Sequence, residues 1–136
     1  MCIRDSLKDA PPEIQKNNIR IVVAGTPGAD FLSELEVACT DTIIIKNRYS
    51  AFFNTSLDKK LNEEKCSSIV IAGINSHACI RSSAVDAFQR DYEVILASDC
   101  IDSNDFEHHK VSMKYMNEQI GNVLTNNQFF NIVECA

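Results

Sequence analysis

The chain of 136 residues is predicted to be an α/β protein, a parallel sheet with helices on both faces. Three observations predict this class. Short β-branched runs recur without polar alternation, as at Thr42-Ile43-Ile44-Ile45 and Ser68-Ile69-Val70-Ile71-Ala72-Gly73, which is the pattern of strands buried on both faces. Between them lie stretches whose apolar residues recur every three or four positions, the pattern of a helix with one buried stripe. The two kinds of segment alternate along the chain, which implies parallel strands joined by right-handed crossovers.

Taken in order, residues Met1 to Asn18 are polar, contain Pro11-Pro12 and show no periodicity. They read as a loop or a disordered lead, and Met1-Cys2-Ile3-Arg4-Asp5-Ser6 looks like a foreign, translated adapter. The apolar run Ile19 to Ala24 ends at the turn Gly25-Thr26-Pro27-Gly28. A short helix is expected over Asp30 to Glu36, then the buried strand Thr42 to Ile45. Ser50 to Glu64 reads as a helix with Phe53, Leu57 and Leu61 on one face. Ser68 to Gly73 is the next buried strand. A helix over Ala78 to Arg90 follows, with Ala84, Ala87 and Phe88 on its packing side. Tyr92 to Ala97 is a third buried strand and Asp105 to Gln119 a further helix. A short strand at Asn122 to Leu124 and a helix from Asn127 complete the pattern. The domain proper is therefore 19–136, with 1–18 as its lead.

Hydrophobic residues make up 45% and charged residues 24%, an ordinary composition for one soluble domain with a real core. The net charge is -6 and no lysine or arginine cluster is present, which argues against nucleic acid and anionic membrane as partners. No apolar run approaches the roughly 20 residues of a membrane span, and the N-terminus has no secretion signal. The six cysteines are scattered without a CxxC pair, which argues against structural zinc and for free thiols in the cytoplasm.

In a parallel sheet, chemistry gathers at the carboxyl ends of the strands. That rule selects Lys46, Gly73 to Cys79, and Ser98 to Asp102. Cys79 falls where a strand has ended and a helix begins. There the helix dipole and unpaired N–H groups favour thiolate over thiol, and the same N–H groups can receive charge from a carbonyl under attack. The alternative is a small apolar residue packing a strand–helix junction. Lys46, directly after a strand, can reach into the crevice and favour the thiolate, or leave the core for solvent. Tyr49, Phe52 and His77 are candidates for pocket walls, although aromatic residues there also suit a core. His108-His109 points to opposite sides of its helix and is expected to be exposed.

Gly25-Thr26-Pro27-Gly28-Ala29, then Lys46 to Thr55 (KNRYSAFFNT), then Gly73 to Arg81 (GINSHACIR), in that order and spacing, resemble the isochorismatase-like cysteine hydrolases. Asp86 to Val94 and Ser98-Asp99 extend the resemblance, which runs from about Gly25 to the C-terminus. It implies a three-layer α/β/α sandwich around a parallel sheet and an aspartate–lysine–cysteine triad. Carried over, Cys79 attacks the substrate carbonyl to form a thioester, and Lys46 holds the triad's charges. The backbone N–H groups of Asn75 and Cys79 form the oxyanion hole, with a cis peptide at Ile74-Asn75. Because hydrolysis of a vinyl ether needs no thiol, Cys79 favours cleavage of an amide, ureido or N-carbamoyl C–N bond. The partner implied is a small-molecule substrate, with no cofactor and with homo-oligomers among full-length members.

One part of the family pattern is missing. The family's catalytic aspartate ends a first strand that lies well before the Gly-Thr-Pro-Gly turn, and neither Asp5 nor Asp9 has a buried strand before it. The sheet is thus expected to lack its first strands, leaving open edges and exposed apolar surface that favour aggregation. Without the aspartate, activity is expected to be lost. Members that bind metal draw its ligands from the same missing region, so no metal is expected. Two other readings remain: a non-catalytic binding or interaction module on this scaffold, and a redox sensor pairing Cys79 with Cys100.

Overall fold

The computed structural model describes residues 12–17 and 22–134. The expectations for Met1–Pro11, Asn18–Ile21 and Cys135–Ala136 lie outside the described residues. Within the expected lead, Pro12–Lys16 forms a short helix, α1. Proline suits a first helical position because it has no N–H to leave unpaired, and Glu13 and Lys16 suit the two ends of the dipole.

From Val22 to Ser56 the chain is mostly irregular, and three expectations fail there. Asp30 to Glu36 forms no helix; a single turn closes from Leu35 N–H to the Leu32 carbonyl. Thr42 to Ile45 is not a strand, and Ile43 and Ile45 are 52% and 57% exposed. A β-branched run becomes a strand only where a sheet extends to it, and among the described residues the sheet does not reach this run. The helix expected from Ser50 starts only at Leu57 and ends at Glu63 (α2). Asn54 adopts a left-handed conformation, φ 53°, which interrupts helical geometry. That shift of register exposes Phe53 and buries Phe52 instead, while Leu57 and Leu61 pack on the core as expected.

From Ser68 onward the alternation is regular. The elements are β1 (Ser68–Ile74), a π-type turn (Ser76–Ile80), α3 (Arg81–Phe88), β2 (Glu93–Asp102), α4 (Phe106–Gln119), β3 (Asn122–Leu124) and α5 (Asn126–Glu134). The strands pair in the order β1-β2-β3, all parallel. The molecule is thus an α/β fold with a parallel sheet and flanking helices. Ala84 and Ala87 present no bulk, so α3 lies close to the sheet with both residues fully buried. Phe88, at the last helical position, is exposed and does not join them. Leu96 and Met116 are the largest side chains sealed in the core. A Cβ at Gly121 would collide with the Val94 carbonyl oxygen, so only glycine lets α4 turn into β3 here.

Two features shape the carboxyl end of the sheet. β2 runs beyond Ala97, where it was expected to end, and continues to Asp102. Ala97–Cys100 bulges between the partners of Ile71 and Gly73, with Gly73 at φ 118°, a conformation open to glycine. β1, expected to be buried on both faces, is instead an edge: Val70 is 49% exposed. Its second edge is unpaired among the described residues.

Candidate active site

Along that open edge runs a groove of about 610 Å³. β1 forms its floor and Phe52, Leu57 and Leu61 its apolar wall; Lys46 and Cys79 also line it. The groove therefore joins two parts of the chain that are far apart in sequence.

Cys79 is presented by the π-type turn. The Asn75 carbonyl accepts from the N–H groups of both Ala78 (3.1 Å) and Ile80 (3.2 Å), and the turn runs directly into α3. The Ile74–Asn75 peptide bond is cis. Cys79 is half-buried and lies in the π-type turn, two residues before the regular α-helix begins at Arg81. Its carbonyl accepts from Ser83 Oγ (2.7 Å), and Ser83 Oγ in turn accepts from the Ala51 N–H (2.9 Å). Ser83 thus ties the loop after Lys46 to the helix after Cys79.

Lys46 is buried. Its Nζ donates to the carbonyls of Arg48 (3.0 Å) and Tyr49 (2.9 Å) and to Cys79 Sγ (3.4 Å). An ammonium has three N–H donors, and these three contacts employ all of them. Of the candidate pocket walls, Phe52 lines the groove. Tyr49 is exposed and serves Lys46 through its backbone carbonyl. His77 lines a separate, smaller pocket with Ser50 and Arg81. Among the described residues, no aspartate or glutamate lines the groove.

The two adjacent histidines part company, as their helical spacing requires, but only one is exposed. His108 pairs with Asp105, the residue capping α4, at 2.8 Å. Asp105 accepts from both the backbone N–H and the ring of His108, which holds its carboxyl below the usual range. His109, expected in solvent, is half-buried and reaches back to Ser76, because α4 packs against the π-type turn. No disulfide joins Cys79 to Cys100, which is exposed beside Asn126; the redox pair of the third reading is not formed. Ser83 could have been found in the sequence, since a serine four residues after Cys79 can bond back to its carbonyl. The Ser76 and His109 contact left no sequence signal, because the two are 33 positions apart.

The family model described as Isochorismatase domain matches residues 5–128. The chain belongs to the isochorismatase family. Among its relatives, the maleamate amidohydrolase of Pseudomonas putida is 31% identical over 104 residues, 76% of this chain and 49% of that protein. The ureidoacrylate amidohydrolase of Acinetobacter baylyi is 31% identical over 121 residues, 88% of this chain and 48% of that protein. The chain spans about half the length of these curated relatives. An isochorismatase-like hydrolase from Alkaliphilus metalliredigens matches in structure with a TM-score of 0.83 at 30% identity, covering 97% of this chain and 69% of its own. The sequence resemblance and the isochorismatase-like fold therefore agree.

Proposed function

We propose that this isochorismatase-family chain carries the nucleophile of a cysteine hydrolase for a small amide, ureido or N-carbamoyl compound. The observation that supports it most is the contact of Lys46 Nζ with Cys79 Sγ at the start of a helix, on the rim of an apolar groove. The names of two relatives, both amidohydrolases, support the same substrate class.

In this reading the Cys79 thiolate attacks the carbonyl carbon and a C–S bond forms. The carbonyl electron pair moves onto oxygen, which the N–H groups of Asn75 and Cys79 receive. When that pair returns, the C–N bond breaks, and ammonia or an amine leaves with a proton. Water then adds to the thioester, the C–S bond breaks, and the acid and free thiol are regenerated. Proton removal in both halves calls for a general base, and among the described residues no carboxylate lines the groove. Loss of such a base typically lowers the rate about 10²–10⁴-fold. The chain by itself is therefore expected to have a reactive thiol and little turnover.

Iodoacetamide at limiting dose, read by peptide mass spectrometry, tests the first half. Cys79 should alkylate well before the other five cysteines. Uniform slow labelling would sink the nucleophile and favour a non-catalytic module. Ammonia release from primary amides and N-carbamoyl compounds tests the second half, and robust turnover by the purified chain would refute the need for a further base.

A further inference from the structure

Three consecutive residues of the nucleophile turn are each bonded to the junction between β2 and α4. Asn75 Oδ1 accepts from the Asn104 N–H (3.4 Å). Ser76 Oγ lies 3.0 Å from His109 Nδ1. His77 Nδ1 lies 2.7 Å from Ser103 Oγ, which itself accepts from the Asp105 N–H at 3.2 Å. The three contacts differ in what they cost to lose. Asn75 and His77 are only half-buried, so water can replace their partners. Ser76 is 0% exposed, and among the described residues His109 is the only hydrogen-bond partner of its hydroxyl. A buried hydroxyl that loses its partner cannot turn to water. It must either stay unsatisfied or move the turn.

Moving the turn would move the sulfur. Ser76 opens the same five-residue turn that holds Cys79, and the Asn75 carbonyl just before it anchors Ala78 and Ile80 on either side of the thiol. We infer that His109 is a positioning residue for the nucleophile: through Ser76 it fixes the turn so that Cys79 Sγ meets Lys46 Nζ. His109 touches neither the thiol nor the groove, so its action is indirect. The inference rests on the reading of Cys79 as nucleophile and adds the element that holds it in place. The clamp also explains why α4 begins where it does. Asp105 caps the helix by accepting the His108 N–H (2.9 Å), and His109 then falls one position later, facing the turn.

The test is a double-mutant cycle on the full chain, read as the second-order rate of Cys79 alkylation. His109→Ala and Ser76→Ala should each slow Cys79 on the order of tenfold, the scale expected when a reacting group is misplaced by a fraction of its contact distance. The double variant should be no slower than either single variant, because both remove one contact. His109→Asn places a polar atom where Nδ1 stood and should restore most of the rate, which a merely space-filling role for the ring would not allow. Labelling of Cys66 and Cys100 should not change. Fast wild-type labelling of Cys79 that survives His109→Ala, or additive effects in the cycle, overturns the inference while leaving the nucleophile reading intact. Wild-type labelling with no preference for Cys79 overturns both. If His109→Ala lowers the unfolding midpoint and slows every cysteine alike, the role is structural and the inference fails.

Discussion

Two short apolar runs, each read from the sequence as a buried strand, meet different fates in this molecule. Among the described residues the sheet does not extend to Thr42-Ile43-Ile44-Ile45, and two of its isoleucines are more than half exposed. Val94-Ile95-Leu96-Ala97 sits in the middle strand, paired to β1 on one side and β3 on the other. β1 stands between them, paired on one edge and open on the other. β-branched residues make a backbone willing to extend, but neighbours decide whether it becomes a strand. The comparison places the stability of this chain in β2 and its surroundings, and places the groove where pairing stops.

The strongest attempt to break the comparison is a pair of truncations. Leu96→Ala removes a fully buried side chain and should cost about 2–5 kcal/mol in urea unfolding. Ile43→Ala should stay within about 0.5 kcal/mol, as exposed positions do. Equal losses would mean that the Thr42–Ile45 run is packed after all.

A second, smaller contrast uses glycine. Gly121→Ala drives a methyl into the Val94 carbonyl and should cost about 1–3 kcal/mol, by the cost of overpacking. Gly28, whose added Cβ meets only ordinary contacts at 3.8 Å, should accept alanine with no measurable loss. Similar thermal shifts for the two variants would place the rigid part of the fold elsewhere.

How much of this could be read beforehand follows the same division. From Ser68 onward each expected element exists, with β3 at the residues expected, because local pattern and pairing agree there. Cys79 was picked out by its place after a strand, and Lys46 by its place after a run that forms no strand among the described residues; the fold nevertheless brings both to one groove. The failures lie where tertiary context is absent or decides the outcome. Ile43–Ile45 had the right residues, but among the described residues the sheet does not extend to them. Phe52 and Phe53 exchanged places because Asn54 took a left-handed conformation that side-chain periodicity does not reveal. His109 was assigned to solvent because helix geometry says which way two adjacent side chains diverge, but not what packs against either.

The smallest expected effect is on pH, and it sharpens the comparison at the clamp rather than the core. Asp105 is held below the usual carboxylate range by hydrogen bonds from the His108 N–H and ring. A carboxyl depressed in the folded state stabilises it above the ordinary carboxyl pKa, near pH 4, and that contribution is lost as pH falls through the lower, folded value. Hydrogen exchange at Phe106 to His109 should therefore quicken in acid before exchange in β2 does. Loosening of both segments together at the same pH would remove Asp105 as the local cause.

Two of the acceptors that hold Lys46 are ones that no change of side chain takes away. Two of its three partners are the backbone carbonyls of Arg48 and Tyr49. The path of the loop fixes the lysine, whatever side chains the loop carries. Positions 48 and 49 can therefore drift in sequence while the amino group stays aimed, provided no proline or glycine redirects the chain. Of its three partners, only the Cys79 thiol can be erased by one substitution. Selection acting on this contact would leave its mark on Lys46 and Cys79 and pass over the loop residues that hold the lysine in position.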